Sequence, residues 1–478
     1  MNLFLLSLIL IVGYLIIDWI GKNRRIHKNE PPGPRALPLI GNLHQIGPLP
    51  HIGFTEMTKK YGHVFRVWLG DNYHVIVDDP EVIKEITVRN FDNFTNRLLS
   101  PSFEVMSRGY INLAVGRDDH WYHLRKLVSN AFTKTKIRTV GFVIEEHIDH
   151  LIRRMKLFEK DNQPFYPRFH LKKYAVNIIF SMVFSDEIPY DEDVHEGRMQ
   201  SLFVPIDKVM RHLGSGKLAD CVNILKPLLK FKQRTFGTDM DIVFKITAEI
   251  YDEHVATLDE NNPRDLFDSL IIDSKGKHRD SVIMVGTDFI ISGTETSAST
   301  IEMFMMYMIN NQEVQEKVAS ELASIVGVGN RVSMSHRPKC PYTIAVIHEV
   351  MRMMPVAALV PRMAKESIML ADKYFIAKGT HMLINYRSWN HREDLWELPE
   401  QFLPERFLGQ STDFQPFSSG PRNCVGQNLA VEEVFVGCAN IIHNFRLSSV
   451  DGKPVAEEET FGLTICPKEF QVSVQSRT

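Results

Sequence analysis

Residues Phe417 to Gly426 read F-S-S-G-P-R-N-C-V-G and place one cysteine, Cys424, just before a pattern that predicts a helix over Gly426–Asn444. Gly420 and Gly426 flank the cysteine and allow the backbone a tight turn and a close approach to another group. A thiol at the start of a helix is expected to have a lowered pKa, because the helix dipole and free N–H groups stabilise the thiolate. The loop therefore predicts a nucleophile or a metal ligand, with a buried structural cysteine as the alternative.

The spacing of five residue types in this loop is a more specific signal of function than the cysteine alone. The pattern F-x-x-G-x-R-x-C-x-G resembles the haem-ligand loop of the cytochrome P450 family, and every position of it is filled. The resemblance implies that the cysteine is the axial thiolate ligand of the iron of haem b, iron protoporphyrin IX. It also implies that the cofactor is bound by Phe417, Gly420, Arg422, Cys424 and Gly426.

A second part of the resemblance lies further upstream, in a helical pattern. S-G-T-E-T-S, which begins at Ser292, is similar to the family's A-G-x-E-T-T and implies catalytic roles for Gly293, Glu295 and Thr296. Gly293 is expected to leave room beside the iron, and Thr296 to turn its hydroxyl out of the helix ladder and open a groove for dioxygen. Glu295 is expected to relay protons. Ser292, where the family usually has alanine, and a short connection after Leu266 are departures from the pattern.

Arginines are predicted to pair with the haem propionates. W-Y-H-L-R, from Trp121 to Arg125, fits the W-x-x-x-R of the family's haem-facing helix. By resemblance the propionate partners are Trp121, Arg125, Arg362 and Arg422. Arginine suits this role because its planar fork pairs with a carboxylate bidentately.

Two further motifs indicate a structural network rather than a catalytic one. Glu349 and Arg352 fit the pattern E-x-x-R, which alone predicts no more than an ion pair on one helix face. P-E-R-F at 404–407 supplies Arg406, which by resemblance is the third member of a buried Glu–Arg–Arg group. Two arginines around one carboxylate are costly to bury unless every charge is paired, so the expected role is to hold the fold.

The N-terminus predicts a membrane anchor. Leu3 to Ile17 is apolar except for Ser7, and a basic cluster of Lys22, Arg24, Arg25 and Lys28 follows the apolar run. The length suits one bilayer crossing, and the charges after the run place the rest of the chain in the cytoplasm. No charged side chain precedes the run and no A-x-A pattern follows it, which disfavours a cleaved signal peptide.

The prediction is an anchor over 1–21, a basic and proline-rich linker over 22–50, and one haem-thiolate catalytic domain over 51–478. The fold class is mainly α with small β-sheets, a single large cytochrome P450-like domain behind an N-terminal transmembrane helix. Gly70-Asp71-Asn72 lies between two β-rich runs and predicts a hairpin. By resemblance the localisation is the endoplasmic reticulum membrane, single-pass, with the catalytic domain cytoplasmic.

Composition excludes several other classes. The 478 residues are 44% hydrophobic and 24% charged, which does not fit a disordered, collagen-like or multi-span membrane chain. The formal net charge of −3 gives no field for nucleic acid, so no nucleic-acid partner is expected. Five widely spaced cysteines without a C-x-x-C pair exclude a disulfide framework and a zinc ribbon.

The resemblance implies a monooxygenase that inserts one atom of O2 into a small apolar substrate, a xenobiotic, steroid or fatty acid. Electrons are expected from NADPH through NADPH-cytochrome P450 reductase, and the sequence leaves open whether cytochrome b5 assists. The alternatives are a reductase-independent haem-thiolate isomerase or dehydratase, which the intact Glu295-Thr296 pair disfavours, and a non-catalytic haem- or lipid-binding membrane protein.

Two surfaces follow from the same resemblance. The expected reductase-binding patch is Arg125, Lys126, Lys134, Lys136 and Arg138, with an ordinary solvated face as the equal alternative. The expected substrate pocket is lined by Phe94–Gly109, Phe203–Val209, Phe289–Gly293, Val356–Val360 and Phe461–Leu463. Core packing explains the apolar composition of those segments equally well.

Overall fold

Helices make up most of the chain, and the sheets are small, so the predicted fold class is confirmed. The computed structural model describes residues 3–129, 132–133, 141–214, 217–275, 277–409 and 414–477. The α-helices are Leu3–Asn23, Pro50–Tyr61, Pro80–Lys84, Pro101–Met106, Asp118–Ser129, Gly141–Lys160, Pro167–Phe184, Gly197–Gly214, Leu218–Cys221, Lys226–Phe236, Asp239–Ala256, Leu266–Ser274, Arg279–Asn310, Gln312–Val326, Pro341–Met353, Tyr386–Asn390 and Gln427–Asn444. The strands are β1 Val64–Leu69, β2 Asn72–Val77, β3 Leu359–Met363, β4 Ile368–Leu370, β5 Tyr374–Ile376, β6 His381–Asn385, β7 Phe445–Ser449, β8 Glu459–Phe461, β9 Ile465–Pro467 and β10 Val472–Ser476.

The larger sheet has the strand order β1-β2-β6-β3. β1 and β2 form the predicted hairpin, and Gly70 takes a positive φ of 63° in its two-residue turn. β6 pairs with β2 in parallel and with β3 antiparallel, which joins the N-terminal hairpin to a distant part of the chain. The smaller pairings are β4 with β5, β7 with β10, and β8 with β9.

Arg279–Asn310, called the central helix below, carries the S-G-T-E-T-S pattern. Its 32 residues span about 48 Å, and apolar residues on nearly all sides bury it. It packs along Pro167–Phe184 on one side and against Gln427–Asn444, the helix that follows Cys424, on another. The fold thereby brings the cysteine loop and the polar middle of the central helix to one place.

The apolar N-terminal helix is exposed along its length, but its last turn is fixed to the body. In the described part of the chain, Leu3–Asn23 is the helix long and apolar enough to cross a membrane. Lys22 is buried and lies 2.8 Å from Asp18 and 2.7 Å from Asp71 of the β1–β2 turn. Asn23 exchanges two 2.9 Å hydrogen bonds with the backbone of Ala36. The segment predicted as a linker therefore contacts the sheet directly.

Candidate active site

A cavity of about 240 Å³ lies between the cysteine loop and the middle of the central helix; we call it the cysteine cavity. It is lined by the predicted site residues Trp121, Arg125, Gly293, Thr296, Arg422, Cys424 and Gly426. Phe417 lines a neighbouring cavity together with Thr296, and Glu295 lines another. Gly420 shapes the loop, and Arg362, on β3, lies beside the other arginines.

The cysteine loop depends on Gly420. This residue has a positive φ of 74°, and a Cβ there would lie 1.7 Å from the carbonyl oxygen of Thr87. The Cys424 N–H donates to the Phe417 carbonyl at 3.0 Å, which closes the loop, and Gly426 caps the helix that begins at Gln427. The loop is thus pressed against the neighbouring backbone while the thiol remains accessible from the cavity.

The pKa of the Cys424 thiol differs from the one expected for a cysteine at the start of a helix. Its pKa is raised from the ordinary value, because desolvation by the surrounding protein outweighs the backbone N–H of Gly426 and the charge of Arg125. The helix start alone therefore does not make it a thiolate, and the expectation of a lowered pKa is wrong. A metal ion deprotonates a coordinating thiol outright, so ligation supplies what the helix does not.

Four guanidinium groups meet beside the cavity, and none of them forms an ion pair with a carboxylate within the described residues, although Asp288 lines the same cavity. They belong to Arg97, Arg125, Arg362 and Arg422. Burial, together with the charges of the other arginines, lowers the pKa of Arg422 well below its usual range. Buried nitrogens on three of the four have no hydrogen-bond partner in the described chain: Nε of Arg97, Nε and Nη2 of Arg362, and Nε of Arg422. Haem fits these residues, because its two carboxylates can pair with the arginines and its iron can bind the Cys424 thiol.

Other nitrogens of Arg125 and Arg422 are bound to backbone and to the loop. Arg125 donates to the Asn423 carbonyl at 3.0 Å and to its side-chain oxygen at 2.6 Å. Arg422 donates to the carbonyls of Thr95 and Gly116, and its guanidinium lies 4.6 Å from the ring centroid of Trp121. The cysteine loop and the helix of Trp121 are therefore locked together.

The predicted oxygen-site residues Gly293, Glu295 and Thr296 lie within about one turn of an unbroken helix. The Thr296 hydroxyl donates to the Ser292 carbonyl at 2.7 Å, and the Ser292 hydroxyl donates to the Asp288 carbonyl. The extra hydroxyl of Ser292 is thus held by the helix backbone. A Cβ at Gly293 would lie 2.5 Å from Cδ1 of Ile179, so a larger residue here would require the Ile179 side chain to move.

Glu295 is buried and paired with a buried lysine. Its carboxylate lies 2.8 Å from Nζ of Lys172, which lies 2.6 Å from Asp207. Burial raises the pKa of Glu295, and Lys172 offsets part of that rise. Asp207 is a quarter exposed, so the three groups form a charged path from near the surface to the edge of the cavity.

The structure brings Glu349, Arg352 and Arg406 together. Arg352 Nε and Nη2 lie 2.8 and 2.9 Å from the two oxygens of Glu349, and both side chains are 0% exposed. Arg406 Nε lies 3.1 Å from the same carboxylate. Arg352 also donates to the carbonyls of Asn390 and Pro399 at 2.7 and 2.9 Å. Every charge is paired, as a buried group of this kind requires.

Comparison with known proteins agrees with this geometry. The family model described as Cytochrome P450 matches residues 31–474. The chain belongs to the cytochrome P450 family. It is 36% identical to Probable cytochrome P450 519E1 and 37% identical to Probable cytochrome P450 519B1 of Dictyostelium discoideum, each over 100% of both chains. A solved zebra fish cytochrome P450 with progesterone superposes with a TM-score of 0.78 at 26% identity, covering 90% of this chain and 99% of that one.

The family establishes the coarse activity. This P450 is a monooxygenase with a haem cofactor, and it binds dioxygen, a substrate and a redox partner. The family also explains why a cysteine, several arginines without ion-pair partners in the described chain, and a polar stretch of helix share one cavity.

Three side chains at the site of this P450, Lys172, Asp288 and Glu433, were given no role from sequence, and Arg97 was expected only within the substrate-pocket segment Phe94–Gly109. Asp288 accepts hydrogen bonds from Asn112 Nδ2 and from the backbone of the two residues that follow Asn112, at 2.8–2.9 Å, and burial raises its pKa to about 6. Glu433 accepts from Ser297 at 3.0 Å, and burial raises its pKa to about 8. Glu433 continues the family pattern C-x-G-x-x-x-A-x-x-E, which was the available signal.

Replacing Gly420 by alanine is expected to destabilise the P450 by more than about 3 kcal/mol, because the added Cβ meets the Thr87 carbonyl. Gly379→Ala is the matched control, since Gly379 also has a positive φ but no atom within 4 Å of the position that a Cβ would take. That control isolates the backbone penalty of about 1–2 kcal/mol. Urea unfolding of the haem-loaded proteins measures both, and equal losses would contradict the steric account.

Proposed function

We propose that this P450 is a haem b–thiolate monooxygenase that inserts one oxygen atom of O2 into a small apolar substrate, a xenobiotic, steroid or fatty acid. We further propose that NADPH-cytochrome P450 reductase supplies the electrons, with cytochrome b5 as an optional second donor. The observation that carries the proposal is the cysteine cavity, whose lining includes Cys424, Gly293 and Thr296 together with three of the four arginines, Arg97, Arg125 and Arg422.

The residues divide into holding and proton-handling roles. Cys424 would provide the iron ligand, with Phe417, Gly420 and Gly426 shaping its loop. Trp121, Arg125, Arg362 and Arg422 would hold the cofactor's carboxylates, and Arg97 joins them because its Nε is buried without a partner in the described chain. Haem, when bound, supplies the activation of dioxygen that no protein side chain provides. Glu349, Arg352 and Arg406 would have a structural role, in which Arg352 holds the backbone carbonyls of Asn390 and Pro399.

Protons are proposed to reach the cavity through Glu295. Its carboxyl lies between Lys172 and the cavity that it lines with Thr296, so rotation of one side chain changes its partner. The raised pKa of Glu295, caused first by burial, favours a carboxyl group that can hold a proton. Thr296 Oγ1, on the next residue of the helix, donates to the Ser292 carbonyl at 2.7 Å, and its hydroxyl is proposed to turn into the cavity when it passes a proton on.

Glu295→Gln is expected to lower product formation by about 100-fold, because the amide keeps the shape but carries no transferable proton. NADPH oxidation should fall less than product formation, so the yield of product per NADPH drops. Glu302→Gln is the matched control: Glu302 is also buried on the central helix but pairs with Arg168 instead. Equal yields in the Glu295 variant and the wild type would contradict the relay.

The membrane attachment is proposed from the N-terminal helix and a neighbouring apolar surface. Asp71 binds both Lys22 and the backbone N–H of Asn223, so the end of the anchor lies beside the helix Lys226–Phe236. Leu228, Phe231 and Phe236 of that helix are 64–79% exposed. We therefore assign 1–21 to the anchor, 22–50 to a docked linker and 51–478 to the catalytic domain, at the endoplasmic reticulum and facing the cytoplasm.

The reductase is proposed to dock near the cysteine loop. Arg125 and Lys126 of the expected basic patch lie on the helix Asp118–Ser129, whereas Lys134, Lys136 and Arg138 lie outside the described residues. The proposal of this patch therefore rests on the positions of Arg125 and Lys126 alone.

One experiment tests the proposed reaction. Full-length protein is reconstituted with the reductase and NADPH under heavy-isotope dioxygen, with a panel of steroid, fatty-acid and xenobiotic probes. One labelled oxygen atom in a product, and none without reductase, is the expected result. Rearranged product without reductase or added oxygen would instead establish an isomerase.

A further inference from the structure

A second and larger cavity, of about 420 Å³, lies between the four-stranded sheet and the segments around Leu213 and Leu463. We call it the sheet cavity. It shares Phe103, Leu213 and Leu463 with a third cavity of about 140 Å³. That third cavity shares Ala114, Asp288, Ser292 and Thr296 with the cysteine cavity. The three spaces are therefore neighbours in a row that runs from the sheet to Cys424.

Two histidines form a polar spot in the mainly apolar wall of the sheet cavity. His74 on β2 and His381 on β6 are register partners of the parallel pair, so both side chains lie on the same face of the sheet. Their rings meet edge to face with centroids 5.0 Å apart, and they are 4% and 8% exposed. Core packing alone does not call for two imidazoles at adjacent positions of a buried face.

Each ring of the pair has one nitrogen without a hydrogen-bond partner in the described chain. His74 Nδ1 lies 3.1 Å from the Asn72 carbonyl, which only accepts, so Nδ1 carries the proton and Nε2 is an acceptor. Within the described residues, no hydrogen bond reaches Nε2 of His74, none joins the two rings, and Nδ1 of His381 is buried without a partner.

The charge of the cavity decides which ligand chemistry it accepts. Burial lowers the pKa of His74 to about 3 and of His381 to about 4, helped by nearby Lys226, so both rings are neutral. Among the described lining residues there is no lysine or arginine, and Asp220 is the charged one. Asp220 is itself occupied by the backbone N–H and hydroxyl of Ser102, both at 2.8 Å. Lys226 does not line the cavity, and its Nζ donates to Oδ1 of Asn72 at 2.8 Å and of Asn223 at 2.7 Å, so a carboxylate ligand would be desolvated without a cation in direct contact.

We propose that the sheet cavity binds the hydroxyl group of an elongated apolar substrate, whose other end reaches the cysteine cavity. The hydroxyl donates to Nε2 of His74 and accepts from the N–H of His381, which a neutral imidazole always retains on one nitrogen. An ether or ketone can only accept and leaves His74 unmatched. The preferred substrates are therefore long apolar alcohols rather than acids or amines. This inference rests on the proposed monooxygenase site.

The test uses four probes of one length: 1-dodecanol, dodecyl methyl ether, dodecanoic acid and dodecyltrimethylammonium. Equilibrium dialysis against full-length haem-loaded protein in lipid nanodiscs, corrected with empty nanodiscs, gives each dissociation constant. We expect the alcohol to bind about tenfold more tightly than each of the others, which is the effect of one or two buried hydrogen bonds. Equal binding of the alcohol and its methyl ether, or tighter binding of either charged probe, would overturn the proposal without any variant.

Variants assign the effect to the two rings. His74→Phe and His381→Phe are expected to reduce the alcohol-to-ether ratio to near one, whereas His381→Gln, which still donates and accepts, retains most of it. His170→Phe is the matched control, because His170 is also buried with a pKa lowered to about 3 by burial but lines none of these cavities. A ratio that survives both phenylalanine variants overturns the assignment.

The same samples separate this inference from the function on which it rests. A carbon monoxide spectrum of the thiolate type together with no preference for the alcohol refutes the hydroxyl subsite alone. If wild-type protein does not give that spectrum, the proposed monooxygenase site is refuted instead.

Discussion

Cys424→Ala should reduce monooxygenase turnover to the background of haem without protein. The reason is that no other cysteine or histidine lines the cysteine cavity in the described part of the chain, so nothing replaces the ligand. The loss should exceed the about 100-fold that removal of a second-sphere partner of a metal site costs. Turnover with reductase and NADPH, together with haem content per protein, measures it.

Cys438→Ala is the control for that prediction. Cys438 lies on the helix Gln427–Asn444 that follows Cys424, is 0% exposed and does not line the cavity, so its replacement costs only packing of about 1 kcal/mol. Its turnover should stay within a few-fold of wild type. Retained turnover in the Cys424 variant would show that the iron has another ligand.

Arg352→Ala should destabilise the folded protein by about 3–5 kcal/mol, since it leaves Glu349 as a buried carboxylate paired only with Arg406. The change also frees the carbonyls of Asn390 and Pro399, which hold the segment before the cysteine loop. Against a total stability of about 5–15 kcal/mol, this is enough to deplete folded, haem-loaded protein. Urea unfolding at fixed haem concentration measures the loss.

Glu56→Ala provides the comparison for a surface pair. Glu56 lies 2.8 Å from Lys59, but the two side chains are 62% and 70% exposed, and such pairs contribute about 0–1 kcal/mol. A loss in Arg352→Ala no larger than in Glu56→Ala would mean that the buried network does not hold the fold.

The parts of the site that could be predicted from sequence are those whose residues lie close together along the chain. The cysteine loop and E-x-x-R each occupy a few consecutive positions, so their geometry follows from one turn or one helix face. Gly293 was predicted for the room that it leaves beside the iron, yet the structure also shows the Ile179 side chain close to the position that a Cβ would take. A glycine in a motif thus indicates that space is limited at that position, but the motif does not identify the neighbouring group.

The parts that the sequence did not predict arise from long-range packing. Lys172 meets Glu295, and His74 meets His381, only because helices and strands far apart in the chain become adjacent. The direction of the Cys424 pKa shift also depends on this packing, because desolvation by the body of the protein outweighs the local effect of the helix start. Local patterns carry no information about such burial.

The most direct test of the account is the carbon monoxide difference spectrum of the reduced full-length protein, for wild type and for Cys424→Ala. The account predicts a strongly red-shifted Soret band in wild type that is lost in the variant, because only a thiolate ligand gives that shift. A band at the position typical of histidine-ligated haem in wild type, or the same red-shifted band in both proteins, would contradict it.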